Sequence, residues 1–134
     1  MFQTIILAGN LGSDPELRYT PSGQAVCKLS VATNRQWSND KGETQKETCW
    51  FRVSVWGKQA EACNTYLVKG RPVLVEGRLA PDASGNPKIW NGNDGTPHAS
   101  YEVTAQVVRF LPSAKDTASV SPAVASETED DDGW

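Results

Sequence analysis

A chain of 134 residues, 38% hydrophobic and 22% charged, has room for one domain and a short appendage, with a core that needs no disulfide staples. The formal net charge of −3 is uneven: up to Leu111 there are 12 Lys and Arg against 10 Asp and Glu, and from Pro112 onward one Lys against six acids, so the acidic balance belongs to the tail and does not exclude a polyanionic partner for the body. Cys27, Cys49 and Cys63 are odd in number and lack CxxC spacing, and His98 is the single histidine, so the pattern speaks against a zinc set and for reduced, mostly buried thiols, with no metal or cofactor expected.

The opening MFQTIILAGN has no positive n-region, and its apolar run is too short for a signal or membrane helix, which implies a cytoplasmic location and no membrane partner. Thr4 to Ala8 reads as a strand with apolar residues on both faces, one suited to a core and the other to a neighbouring subunit. Gly9-Asn10-Leu11-Gly12 and Asp14-Pro15 punctuate its end, and Glu16 to Thr20 continues as a short strand before the Pro21-Ser22-Gly23 turn. Gln24 to Trp37 is a long strand with Ala25, Cys27, Leu29 and Val31 alternating with polar residues. Ser38 to Gly42 is a polar hairpin loop.

Glu47 to Gly57 is the most informative strand. Phe51, Val53 and Val55 suit a core, while Trp50, Arg52, Ser54 and Trp56 point the other way, because side chains alternate with a period of two. A solvent face with two indoles around a guanidinium suits stacking on bases and pairing with phosphate. Packing against a second sheet or subunit is the competing reading of the same residues. Lys58 to Lys69 follows as a short helix, with Cys63, Tyr66 and Leu67 at helical spacing and Gly70 and Pro72 as stop signals. Val73 to Leu79 is a strand, Ala80 to Ala99 a long loop, and Tyr101 to Leu111 the last strand.

The order is three strands, a helix and two strands, which is that of an all-β, five-stranded OB-fold Greek-key barrel with one short helix between strands 3 and 4. Residues 1–111 form this domain, and 112–134 are expected to be a disordered acidic tail. Four of the five tryptophans lie on elements that border an OB-fold's binding face, each with a basic neighbour: Trp37 with Arg35, Trp50 with Arg52, Trp56 with Lys58, and Trp90 with Lys88. A tryptophan in an Asn/Gly/Pro-rich loop is hard to assign to a core, and the conjunction points to nucleic-acid binding.

At these residues the chain resembles the bacterial single-stranded DNA-binding protein family. The matching segments are ILAGNLGSDPELRYTPSG (Ile6 to Gly23), SVATNRQW (Ser30 to Trp37), CWFRVSVWGKQAE (Cys49 to Glu61), YLVKGRPVLVEGRL (Tyr66 to Leu79) and SYEVTAQ (Ser100 to Gln106). The resemblance implies an OB-fold, a homotetramer in most members, sequence-tolerant binding of single-stranded DNA in replication, recombination and repair, and no catalysis. It implies stacking roles for Trp37, Trp50, Trp56 and Trp90, and phosphate contacts for Arg52, Lys58 and Lys69. Arg18, Arg35, Lys46, Arg71, Arg78 and Lys88 are nominated on charge and position alone. The Ala80–Ala99 segment is longer than the family's usual hairpin.

The chain ends Asp130-Asp131-Asp132-Gly133-Trp134 where the family tip is Pro-Phe. Carboxylates that steer toward a basic surface, followed by an aromatic plug, keep the logic of such a tip, from which the resemblance implies recruitment of replication and repair proteins; a solubilising acidic end is the competing reading. As a flexible coil the 23 residues from Pro112 would span roughly 25 Å, enough to reach the chain's own groove. An enzyme has little support, because no nucleophile–His–acid set exists and Gly9 to Gly12 lacks the Gly-Lys-Ser/Thr of a phosphate loop. The rivals in the binding class are a primosomal or single-stranded RNA-binding OB module and a carbohydrate-binding one.

Overall fold

The structure, a computed structural model, describes residues 1–113. The proposed tail tip, Asp130 to Trp134, lies outside the described residues, as does all of the tail after Ser113.

Among the described residues, eight strands and one helix run in the order β1 (Ile5–Leu11), β2 (Glu16–Tyr19), β3 (Ala25–Ser38), β4 (Thr44–Trp56), α1 (Lys58–Tyr66), β5 (Pro72–Leu79), β6 (Ile89–Asn91), β7 (Pro97–Ala99) and β8 (Tyr101–Phe110). The main sheet has the order β1-β5-β8-β4-β3-β2, and β1 also pairs with β3. β1 meets β3 at Asn10↔Ala32 and Leu11↔Val31, and β2 continues along the same strand from Glu16↔Lys28 to Tyr19↔Ala25. β1 and β2 are thus two arms of one barrel strand, broken at Gly12–Pro15. Counted this way the sheet is the five-stranded barrel expected of an OB-fold, with parallel pairing of β4 and β8.

Closure requires glycine at Gly9. A Cβ there would lie 2.9 Å from the Ala32 carbonyl carbon and nearer still to its oxygen. The barrel interior holds Leu7, Leu29, Val31, Val53, Val55, Val73, Val75 and Val103, all buried. β-Branched side chains dominate because they fill a pleated surface with little rotamer freedom to lose. α1 stoppers one end with Ala60 and Cys63, followed by Leu67, all in the core. Its neighbour Gln59 clamps β8: its amide nitrogen donates to the Gln106 carbonyl at 2.8 Å, and its Oε1 accepts from the Val108 N–H at 2.9 Å. These groups flank the register shift at Glu76/Gly77, where the β5–β8 ladder skips Gln106. The clamp satisfies backbone groups that the ladder leaves over.

Four element boundaries differ from expectation. β1 runs on to Leu11, because its far end pairs with β3. β4 begins at Thr44, because the β3–β4 ladder continues to Ser38↔Thr44 and leaves only Asn39 to Glu43 as the turn. Asn39 Oδ1 organises that turn by accepting from the Lys41 and Glu43 N–H groups. The helix stops at Tyr66 rather than Lys69, because the chain is captured by β1 and its turn: Lys69 N–H donates to Asp14 Oδ1 and Gly70 N–H to the Leu11 carbonyl, both at 2.8 Å.

The fourth correction concerns Ala80–Ala99, which is not a plain loop. β6 and β7 form a two-stranded hairpin in it, with Trp90 opposite His98. The turn is built by Asn93-Asp94-Gly95, where Gly95 takes a positive φ of 80° and Asp94 Oδ1 accepts from the Thr96 N–H at 3.0 Å. Those hydrogen bonds, together with one from the Thr96 side chain, hold the Asp94 carboxyl below its ordinary value.

The thiols are free, with Cys27 and Cys63 buried and Cys49 half-buried. Burial pushes the Cys63 thiol up to about 12, and burial likewise raises Cys27. Among the described residues no group of three or more His, Cys, Asp or Glu side chains could hold a metal ion. Among them, too, no helix is long and apolar enough to cross a membrane.

Candidate nucleic-acid interface

The alternation of β4 behaves as its sequence dictates. Val53 and Val55 are fully buried, Phe51 is half-buried, and Trp50, Arg52 and Trp56 are exposed. The ladder places Trp50 opposite Ala32, Arg52 opposite Ser30, Ser54 opposite Lys28 and Trp56 opposite Val26. Paired residues in an antiparallel ladder share a face, so the outer surface is a row of large β4 side chains beside small or polar β3 ones. The Trp50 indole reaches beyond β3 and lies against Gly12, where a Cβ would come within 2.7 Å of its Cη2. Trp50 is 51% exposed and Trp56 39% exposed, so neither indole belongs to the interior.

The β6–β7 hairpin brings Trp90 to this row. Its ring is stacked on His98 at 4.6 Å between centroids and 25° between planes, and its Nε1 donates to Ser100 Oγ at 3.2 Å. The Arg52 guanidinium lies over Trp90 at 5.8 Å from the ring centroid. A groove of about 960 Å³ between the hairpin and the barrel is lined by Arg52, Trp90, Lys88, Ile89, Pro87 and Glu102 among others. A second depression joins Trp50, Arg52, Thr48 and Tyr101. Arg52 therefore sits where the Trp50 and Trp90 surfaces meet.

Trp37 stands apart from this cluster. Its ladder partner is Gln45, and Arg35 pairs with Glu47, which puts both on the opposite side of the β3–β4 ribbon from Trp50. That parity belongs to the core lower in the strand. Beyond Thr33 the ribbon projects past the barrel and the same parity becomes solvent-exposed. Arg35 lies over the Trp37 ring at 4.3 Å and also approaches Glu47 Oε2 at 3.5 Å.

The basic nominees divide in the same way. Lys88 Nζ is 3.6 Å from Glu102 Oε1, whose side chain is only 16% exposed, and Arg18 pairs with Glu16. Lys58 is exposed at the start of α1, one residue beyond Gly57. Lys69 is exposed beside Asp14, through its backbone. Lys46 and Arg78 are exposed and Arg71 is half-buried.

Three residues in this surface escaped the sequence reading. Lys28 donates to Ser54 Oγ at 2.7 Å within the Arg52 row, and the alternation of β3 together with its register to β4 carries that signal. His98 and Tyr101 reach the surface only through the hairpin and the start of β8, and no local pattern announces either.

Against this geometry, the profile of the Single-strand binding protein family matches residues 2–111. The chain belongs to that family. It is 39% identical over 113 residues to the single-stranded DNA-binding protein of Wolinella succinogenes, covering 84% of this chain and 66% of the relative. It is 36% identical over 113 residues to that of Helicobacter hepaticus, covering 84% and 63%. The chain thus spans slightly less than two thirds of the length of these relatives. Among solved structures, the Plasmodium falciparum SSB in complex with ssDNA superimposes with a TM-score of 0.68 at 27% identity, over 83% of this chain and 96% of that one. The single-strand binding family consists of non-enzymatic DNA-binding proteins, in keeping with the absence of a catalytic set in the sequence.

Proposed function

We propose that this chain binds unpaired DNA along the outer face of β3 and β4 and under the β6–β7 hairpin. Trp50, Trp56 and Trp90 are the stacking platforms of the main groove, and Trp37 is a further platform at the tip of the β3–β4 ribbon. The observation that carries the reading is the Trp50–Arg52–Trp56 row, open to solvent on a barrel whose chain belongs to the single-strand binding family. The likeness to an SSB solved with ssDNA supports it.

Stacking contributes roughly 1–3 kcal/mol per base and tolerates every sequence, because each base has a π face. Arg52, Lys58 and Lys69 neutralise phosphates, with Arg35 and Lys88 joining once DNA displaces their carboxylate partners. Duplex DNA keeps its base faces covered, so the indoles gain nothing there, and a preference for single strands follows. Protection of single strands in replication, recombination and repair is the role that fits.

β1 supports self-association: Ile6 is 61% exposed on a strand whose other face carries the buried Leu7. A second copy, and by extension a homotetramer, is the expected cover. The acidic tip from Asp130 to Trp134 is proposed to recruit replication and repair proteins.

The deciding experiment titrates intrinsic tryptophan emission with poly(dT), poly(U) and duplex DNA at two salt concentrations. Strong quenching by poly(dT), weakened by salt and absent with duplex, is expected. Equal quenching by poly(U) would favour an RNA-binding module, and salt-independent binding of sugars would favour a carbohydrate site. Sedimentation at low micromolar concentration tests the assembly, and a clean monomer contradicts it.

A further inference from the structure

Tyr101 is exposed at 62%, yet it is not a stray surface ring. Phe51 braces it, with ring centroids 5.5 Å apart and an interplanar angle of 36°. One side of Tyr101 borders the depression that contains Trp50 and Arg52. The other side borders a recess of about 550 Å³ whose apolar wall is Leu79, Ala80, Pro81 and Pro87. That volume lies within the roughly 300–1,000 Å³ of small-ligand pockets. The ring is therefore a ridge between the Trp50 surface and a separate apolar hollow.

The hollow is built in advance. Asp82 Oδ1 accepts from the Ser84 and Asn86 N–H groups, both at 2.9 Å, and Gly85 N–H closes the turn on the Asp82 carbonyl at 3.0 Å. Ala80 N–H donates to the Glu102 carbonyl at 2.8 Å, which pins the start of this wall to β8. Two prolines add stiffness, so little ordering entropy remains to be lost when something enters. Lys88, in its lining, supplies positive charge, although Glu102 holds it at 3.6 Å.

We infer that Tyr101 and this recess form an additional nucleotide subsite, which takes the nucleotide next along the strand from the one on Trp50. The base lies against the Tyr101 ring, the sugar sits against Leu79 and Pro87, and Lys88 exchanges Glu102 for the phosphate. This inference rests on the single-stranded DNA reading above. It commits to nucleic acid because the recess adjoins the Trp50–Arg52 depression across Tyr101 and has a cation in its lining. A second copy of the chain has neither feature to recommend it at this position.

The test uses the full chain. Tyr101→Ala should weaken binding of dT oligomers at least about fivefold, the lower end expected for one lost stacking partner. Tyr101→Phe, which keeps the ring, should bind like the parent. A dT oligomer carrying 5-iodouracil should crosslink, on irradiation, to the peptide that contains Tyr101. Unchanged affinity in Tyr101→Ala, or crosslinks confined to tryptophan peptides, overturns the subsite. So does a change in sedimentation without a change in affinity, which would assign the ridge to a second copy. Quenching of the parent by poly(dT) would stand in each of those cases, so the loss of this subsite is distinguishable from the loss of the main reading. If the parent fails to bind poly(dT), both fall.

Discussion

The Trp50 indole lies against Gly12, in the break between β1 and β2, where any side chain would occupy the space of the ring edge. Gly12 donates its N–H to the Ser30 carbonyl at 2.8 Å, so this floor is held to the same β3 segment that faces Arg52. Glycine here keeps the seat shallow and the ring oriented across the sheet. The atoms that a Cβ would meet are at the far end of the indole, so the ring rather than the backbone gives way. Gly12→Ala should leave the melting temperature within a few degrees of the parent, and should weaken dT binding by roughly 1 kcal/mol as the Trp50 platform is displaced. Equal affinities in a fluorescence titration would show that the orientation of this ring does not matter.

Gly9 and Gly77 behave differently, because backbone stands in the way. A Cβ on Gly77 would lie 3.0 Å from Ala105 Cα and closer to the Thr104 carbonyl oxygen, and Gly9 meets the Ala32 carbonyl in the same manner. Overpacking in a rigid setting costs about 1–3 kcal/mol, and occasionally more. Gly9→Ala and Gly77→Ala should each lower stability by at least about 1 kcal/mol in urea unfolding. The contrast with Gly12→Ala is the measurement that matters.

Charge in the groove should be readable as a salt slope. Each phosphate neutralised on a single strand contributes about −0.7 to the slope of log K against log salt. Arg52→Ala should make the slope shallower by about that amount. Glu102→Gln frees Lys88 from a carboxylate 3.6 Å away, and should tighten dT binding at low salt while steepening the slope. An unchanged slope in Arg52→Ala would remove its guanidinium from the phosphate path.

The thiols give a test of the core. Cys49 is half-buried, while Cys27 and Cys63 are buried. A disulfide reagent at neutral pH should modify Cys49 first, and all three only after denaturation. Cys63 holds its proton until about 12, against an ordinary value of 9.0. The stability linked to that raised value is fully present below the ordinary thiol range and is lost as the pH rises through it toward about 12. Urea unfolding at rising alkaline pH should show this loss, and it should be smaller in Cys63→Ala relative to that variant's own neutral-pH stability.

The hairpin turn carries the opposite sign. Hydrogen bonds from Thr96 hold the Asp94 carboxyl below its ordinary value, so its contribution is present above the carboxylate range and lost as the pH falls through its lowered value. The Thr96 amide should lose protection from hydrogen exchange in acid before the barrel unfolds. Simultaneous loss throughout the chain would place the hairpin and the barrel in one cooperative unit.

Alternation by itself determined much of this protein. In Phe51 to Trp56 the period of two separates Val53 and Val55 from Arg52 and Trp56, and the barrel keeps that division, since a pleated strand has no other way to bury the valines. The order of strands and helix, and the motifs from Ile6 to Gln106, were likewise present in the linear chain. The hairpin over Trp90 read only as a loop, because three-residue strands carry too little periodicity to announce themselves. Tertiary structure alone decided the rest. Register put Lys28 beside Ser54 and turned Trp37 away from Trp50. Barrel closure laid the Trp50 ring on Gly12, hairpin docking brought Arg52 over Trp90, and the arrival of β8 raised Tyr101 into a ridge. Local patterns state which side of a strand a residue occupies. Which distant residue it meets depends on pairing and closure, and those are set by contacts between segments far apart in the chain.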